Sequence, residues 1–166
     1  MSTALFSPST DRKLQAAESI CAARGTRMTN LRRQVLGLVL ETATPSSAYD
    51  LLDRLRVSHK GAAPPTIYRA LDFLLEQGLV HKVERLSAYI GCVHSQDAEH
   101  HAAQFLICRQ CGRVVELEDS AIAAACAAAA RRLGFRTQGS TIEIEGLCAA
   151  CQAAPTLDAP TLDAPV

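Results

Sequence analysis

The chain has 166 residues, enough for one compact domain or two small ones, and its 48% apolar and 20% charged composition excludes a disordered or fibrous protein. With no Trp, four Phe and three Tyr, its core must be built mainly from Leu, Val, Ile and Ala. Zero net charge alone argues against nucleic acid, but residues 1–86 carry twelve Lys and Arg against eight Asp and Glu, while residues 87–166 carry five against nine. A basic half joined to an acidic half is compatible with DNA binding at one end.

The N-terminal MSTALFSPSTDRK lacks a basic region followed by an apolar stretch, so no secretory signal is read there. The run AIAAACAAAA is too short to span a bilayer and ends in Arg131 and Arg132, so no membrane partner is expected. The expected location is the cytoplasm. Thiols stay reduced there, and paired cysteines read as metal ligands or redox catalysts rather than disulfides.

In chain order, residues 1–9 are expected to be disordered. TDRKLQAAESICAARG predicts a helix capped at Thr10 and stopped by Gly25. TNLRRQVLGLVLETA predicts a second helix from Thr29, with Leu31, Val35, Leu38 and Val39 on one face. SSAYDLLDRLRVS follows Pro45 with Ser46 or Ser47 as cap, and PPTIYRALDFLLEQG opens on two prolines, where a missing N–H costs nothing, and closes on Gly78. Two alternating runs, Leu79–Glu84 and Ala88–Cys92, flank a polar turn and predict a hairpin. Helices followed by a hairpin describe a winged helix-turn-helix ending near residue 92.

The second half differs. QFLICRQCGRVVELED reads as two strands bent at Cys-Gly, DSAIAAACAAAARRLGF as an Ala-rich helix capped at Asp119 or Ser120, and STIEIEGLC as a strand. Such a unit, about 50 residues long, buries too little surface to be stable without a staple or a partner. The tail AAPTLDAPTLDAPV is low in complexity, with a repeated TLDAP, and is read as disordered.

Cys108, Cys111, Cys148 and Cys151 form two Cys-x-x-Cys pairs. Tetrahedral zinc takes four thiolates at about 2.3 Å, and each such turn delivers two of them from one knuckle. Each pair ends a predicted strand, so the knuckles meet if those strands are neighbours. A thioredoxin-like redox motif is the alternative, but it needs one pair at a helix start. Two pairs favour zinc, and with all four positions filled by protein the site is structural rather than catalytic.

A second set of donors, His81, Cys92, His94, His100, His101 and Glu116, straddles the junction of the two halves. Singly, each reads as a surface His, a buried Cys or a solvated Glu. Together, the mixed N, S and O donors suit zinc and, given a thiolate, disfavour manganese and magnesium. A site drawing ligands from both halves would couple their relative orientation to metal occupancy. A zinc hydrolase needs an open coordination position and a nearby base. No base is evident, so neither a catalytic residue nor a small-molecule substrate is expected.

RGTRMTNLRRQVLGLV, SAYDLLDRL, PPTIYRALDFLLEQGLVHKVE and FLICRQCG…GLCAAC resemble the ferric uptake regulator family, and within it the zinc uptake regulator branch, over residues 10–152. The resemblance implies an α+β fold with an N-terminal winged helix-turn-helix DNA-binding domain over residues 1–92 and a linker over 93–103. It further implies a small zinc-stapled C-terminal α/β dimerisation domain over 104–152; the tail at 153–166 lies outside the resemblance and is read as disordered from its composition. It implies a homodimeric, metal-dependent transcription factor, not an enzyme. Its zinc-loaded form binds a palindromic operator and represses zinc-uptake genes, some members activating others. Two Zn²⁺ per subunit are implied: a structural one on Cys108, Cys111, Cys148 and Cys151, and a regulatory one on His81, Cys92, His101 and Glu116. The linker GCVHSQDAEHHAAQ departs from the pattern by an extra residue and two adjacent histidines. Counting back from Cys108 selects His101, counting forward from Cys92 selects His100, and His101 is taken as the ligand.

On the same resemblance PPTIYRALDFLLEQG is the recognition helix, with its N-terminal residues in the major groove. Arg69 is the expected base reader, because guanidinium pairs bidentately with guanine O6 and N7. Tyr68 and Thr66 would touch the backbone or a thymine methyl, with core packing as the other reading for Tyr68. Tyr49 resembles a family residue near the backbone or a base. Arg27, Arg32 and Arg33 are either phosphate contacts or a solvated helix face. Asp53 and Arg56 either pair between adjacent dimers or form a surface pair within one helix. Cys21 and Cys126 are expected to be buried. Within the family, iron or peroxide sensing is the alternative, and Cys92 speaks against it.

Overall fold

The computed structural model describes residues 5–42, 44–92, 103–137 and 141–153. The first helix, α1 (Pro8–Ala23), starts earlier than its apolar spacing predicts. Ser7, not Thr10, is the cap: its side chain accepts from the Thr10 N–H at 3.3 Å, and Pro8 occupies the first helical position. Of the residues 1–9 expected to be disordered, residues 1–4 lie outside the described residues, and residues 5–9 are ordered, with Phe6 buried. Its ring lies over Gly37, where an added Cβ would come within 2.4 Å of it.

Helix α2 (Asn30–Leu40) is capped by Thr29 and buries Val35, Leu36 and Val39, with Leu31 and Leu38 partly covered. Helix α3 (Ala48–Arg56) has a capping box in which Ser47 and Asp50 satisfy each other's backbone N–H groups. Ser46 and Ser47 also form the short strand β1. Helix α4 (Pro64–Glu76) begins on its two prolines without a side-chain cap, and Gly78, at φ 65°, turns the chain out of it. Strands β2 (Val80–Val83) and β3 (Ala88–Gly91) form the hairpin around a 3-10 turn, Glu84–Leu86, and the sheet order is β1-β3-β2. Leu14, Leu36, Leu51, Leu55, Ile67, Leu71 and Leu74 pack the helices into one core under this hairpin. This is the winged-helix arrangement that the sequence predicts.

The second sheet contains β4 (Ala103–Cys108), β5 (Val114–Leu117) and β6 (Thr141–Gly146) in the order β5-β4-β6. β4 runs antiparallel to β5 and parallel to β6. A parallel return needs a crossover, and helix α5 (Ser120–Arg132), capped by Asp119, lies in it. A short helix not expected from sequence, α6 (Ala149–Ala153), follows β6. The linker residues 93–102, with His94, His100 and His101, and the tail from residue 154 lie outside the described residues.

Cys21 is fully buried as expected, but Cys126 is exposed. The reason is that α5 is built mostly from Ala and buries none of its residues within this chain. Leu106, Val115 and Ile144 on the second sheet are likewise exposed, as are Leu133 and Phe135 just after α5.

The contact of Phe6 with Gly37 yields a sign test. Gly37→Ala adds helix propensity but drives a methyl into the Phe6 ring, and should destabilise the protein by about 1–3 kcal/mol. In a Phe6→Ala background the same substitution should stabilise it by about 1 kcal/mol. Urea denaturation of the four-member cycle measures both.

Candidate metal centres and nucleic-acid interface

Two cysteine pairs almost forty residues apart meet because β4 and β6 are parallel neighbours whose C-terminal ends fall on one edge. Cys108 stands opposite Gly146, and the Arg109 N–H donates to the Gly146 carbonyl at 2.9 Å. The first knuckle turns through Gly112, at φ 70°, a left-handed conformation that favours glycine, and its N–H donates to the Cys108 carbonyl at 2.9 Å. The second knuckle runs directly into α6, where the Gln152 N–H donates to the Cys148 carbonyl at 2.9 Å.

The four sulfurs all lie within 4.8 Å of one another, and Cys111 Sγ is 3.8 Å from Cys148 Sγ. The latter distance is the edge, about 3.8 Å, of a tetrahedron with sulfurs about 2.3 Å from its centre, and is too long for a disulfide. The backbone N–H groups of Cys148 and Cys111 hold the Cys108 thiol down at about 6, so a thiolate forms there at neutral pH. Hydrogen bonding with the Cys148 thiol, together with burial, pushes Cys151 up to about 12. The donor set and its shape fit a closed zinc site.

The second cluster lies where the hairpin meets the second sheet. His81 comes from β2, Cys92 from the residue after β3 and Glu116 from β5, and one donor atom of each lies within 4.8 Å of the others. His81 Nε2 is 3.5 Å from Glu116 Oε1, and both side chains are largely covered. Cys92 is buried, held by its N–H donating to the Leu79 carbonyl at 3.1 Å. Burial alone would lower the basicity of His81, but hydrogen bonding to Cys92 and then to Glu116 outweighs it and lifts His81 to about 9. One nitrogen, one sulfur and one carboxylate oxygen from both halves of the chain fit zinc. His101, expected as the fourth ligand, lies outside the described residues.

Phe105, to which the sequence reading gives no role, positions this cluster. Its fully buried ring meets the His81 ring edge-on at 5.7 Å. Phe105, Ala103, Ile107 and Val114 pack with Val83 and the partly buried Ile90 of the hairpin, so both halves share a small core beside the donors. Nothing in FLIC beyond a buried-strand pattern could have signalled this.

On α4, Arg69 is exposed, Thr66 is half-buried and Tyr68 is exposed, so Tyr68 is not a core residue. Tyr49, at the start of α3, is more exposed still. Two phosphate candidates are engaged within the chain. Arg32 stacks over Phe73 at 3.6 Å and donates to the Arg27 carbonyl at 2.7 Å, while Arg33 is paired with Glu18 at 2.8 Å and Asp11 at 3.3 Å. Arg27 is exposed. Arg56 pairs with Asp53 at 3.2 Å within α3 and donates to the Ala62 carbonyl at 3.1 Å. Among the described residues no helix is long and apolar enough to cross a membrane.

The fold and its two donor clusters define a winged-helix protein whose DNA-reading half is joined to a cysteine-stapled half through a metal-fitting seam. The profile of the Ferric uptake regulator family matches residues 23–145, and the chain belongs to that family of transcriptional regulators. The zinc uptake regulation protein of Escherichia coli strain K12 is 46% identical over 142 residues, spanning 86% of this chain and 82% of the relative. That of Mycobacterium tuberculosis is 35% identical over 136 residues, spanning 80% of this chain and 99% of the relative. A zinc uptake regulator solved in complex with zinc and DNA superposes with a TM-score of 0.83 at 44% identity, covering 88% of this chain and 97% of that one.

The His81 environment gives a pH prediction. Ligation requires a neutral imidazole, and below about 9 the ring carries a proton that ligation must expel. Zinc affinity at the seam should therefore rise with pH by about tenfold per unit through His81, and that contribution should flatten above about pH 9. Chelator-competition titrations across this range check the slope.

Proposed function

We propose that this protein is a zinc-responsive transcriptional regulator that acts as a homodimer on palindromic operator DNA and represses zinc-uptake genes. The observation that carries this reading is the convergence of His81, Cys92 and Glu116 from both halves of the chain. Each subunit takes two Zn²⁺. Cys108, Cys111, Cys148 and Cys151 hold one as a fold-linked staple, and His81, Cys92 and Glu116, with His101 as the fourth ligand, hold the other as the signal.

In this reading residues 1–92 read DNA and residues 104–152 dimerise. The exposed apolar side chains of the second sheet and of the segment after α5, Leu106, Val115, Ile144, Leu133 and Phe135, supply the surface on which a second copy packs. Arg69 reads a base, Tyr68, Thr66 and Tyr49 touch the backbone or a thymine methyl, and the exposed Asp53–Arg56 pair is available to a neighbouring dimer on long operators. When His81, Cys92 and Glu116 share an ion, the hairpin is held against β5, and the two DNA-reading units of the dimer adopt one separation. That restriction favours the operator by the difference in metal affinity between arrangements. A soft thiolate among the seam donors favours zinc over iron.

The test is zinc stoichiometry by native mass spectrometry before and after mild chelation, with operator binding measured on the same samples. Loss of one zinc per subunit should abolish operator binding and leave the dimer intact. Equal operator affinity with and without that zinc, or activation by iron at lower free metal than zinc, would overturn the reading.

The two sites should separate by substitution. Cys108→Ser should cost the fold or the dimer, because it strips a ligand from folding-linked metal. Cys92→Ser should give a folded dimer whose operator binding no longer responds to zinc. Arg69→Ala should keep both zincs and weaken operator binding by about 1–3 kcal/mol. Circular dichroism, sedimentation and fluorescence anisotropy on the three variants distinguish these outcomes.

A further inference from the structure

The hairpin is held to the second sheet at a point that uses no metal ligand. One oxygen of Glu143, on β6, accepts from the Glu84 N–H at 2.6 Å and the other accepts from the Arg85 N–H at 3.0 Å. Two residues further along β6, on the same face of the strand, Glu145 pairs through Oε1 with Arg85 Nε at 2.8 Å. Glu84 and Arg85 open the 3-10 turn at the tip of the hairpin, where backbone N–H groups lack partners within the turn. Glu84's own carboxylate is turned to Lys82, at 2.6 Å.

We propose that Glu143 and Glu145 form a metal-independent latch on the hairpin tip, and that Glu143 is a positioning residue that sets how much zinc the seam requires. The latch itself stands on the geometry above. Its effect on zinc rests on the reading of the seam as the regulatory site.

The seam grips the hairpin through β5 and the latch grips it through β6, and these strands are the two edges of the sheet, on either side of β4. One point of attachment leaves a hairpin free to pivot, whereas two points on opposite edges fix its direction. The two grips differ in strength. The Arg85–Glu145 pair is exposed on both sides and contributes little by itself. The two Glu143 bonds are charge-assisted and geometrically matched to adjacent N–H groups, and they read the shape of the turn rather than a side chain. Latched chains already hold His81 and Cys92 opposite Glu116. Apparent metal affinity scales with the fraction of chains in the binding-competent arrangement, so the latch raises that affinity without touching the ion.

The experiment uses the full-length dimer with its four-cysteine zinc retained and the seam zinc chelated. It compares the unaltered protein with Glu143→Ala, Glu143→Gln, Arg85→Glu and the exchange Arg85→Glu/Glu145→Arg. Amide hydrogen exchange at Glu84 and Arg85 is read first, then seam zinc affinity by chelator competition at one pH. Glu143→Ala should lose about tenfold of the protection at both amides. Its seam affinity should fall about five- to tenfold, although no ligand has changed. Glu143→Gln, which keeps the size and one acceptor oxygen, should fall between the two, and it carries the test if the alanine variant fails to fold. Arg85→Glu should lower the affinity about twofold, and the exchange should restore it. Equal exchange in the unaltered and Glu143→Ala proteins would remove the latch. A lost latch with seam affinity unchanged would remove its role in setting the zinc requirement. An unaltered protein that takes up no second zinc would overturn the seam reading, with the exchange result still deciding the latch.

Discussion

The ring of Phe105 is where the two halves of the protein become one structure. It is fully buried, it packs with Val83 and Ile90 from the hairpin and with Ala103, Ile107 and Val114 from its own sheet, and it meets His81 edge-on. With only five buried residues among those described, this cluster is a small apolar contact, and small contacts between units leave relative motion as the default. Orientation is therefore left to polar groups around its rim: His81, Cys92 and Glu116 on one side, and Glu143 and Glu145 on the other. In the proposed reading the first set binds an ion, the second binds backbone N–H groups, and such interactions can be gained or lost without unfolding either unit. The apolar contact sets which surfaces face each other, and the polar contacts set how firmly.

The cysteine staple has a different physical status. Parallel pairing of β4 with β6 delivers both knuckles to one edge, and the thiols belong to a sheet whose own buried core is small. Four thiolates held this close repel one another unless a cation lies among them, so the sheet and its metal are expected to form together. The seam donors sit on elements that are already folded, the hairpin over the helical core and β5 in its ladder. On the proposed reading the same metal is part of the fold at one site and a signal at the other, because one donor set lies within a single unit while the other lies between two units.

Much of this was legible in the sequence because local chemistry declares itself. Thr29, Ser47, Asp119, the Pro64–Pro65 pair and Gly78 fix helix ends through backbone hydrogen bonding, and the alternation of residues 79–92 specifies a hairpin. His81, Cys92 and Glu116 stood out in sequence only as members of a group of six donors gathered at the junction of the two halves, which the family resemblance narrowed. What escaped was information carried by tertiary neighbours. Phe6 and Ser7 precede any periodic pattern, so neither the burial of one nor the capping by the other shows in sequence. Arg32 and Arg33 looked available to phosphate, but Phe73, Asp11 and Glu18 lie far from them in sequence and engage them first. Cys126 sits among alanines, which read as buried until the fold leaves α5 uncovered within this chain. Glu143 and Glu145 alternate with isoleucine as any solvated strand face does, and only the folded chain shows that their face is turned to the hairpin tip.

The separation of the two DNA-reading units in the dimer, followed by small-angle X-ray scattering as zinc is added, bears most directly on the role of the seam. With the four-cysteine site already filled, the second equivalent per subunit should narrow the distance distribution to one compact arrangement, and Cys92→Ser should show no such change. Identical scattering profiles at one and two equivalents of zinc would contradict the seam as the element that fixes the geometry of DNA reading.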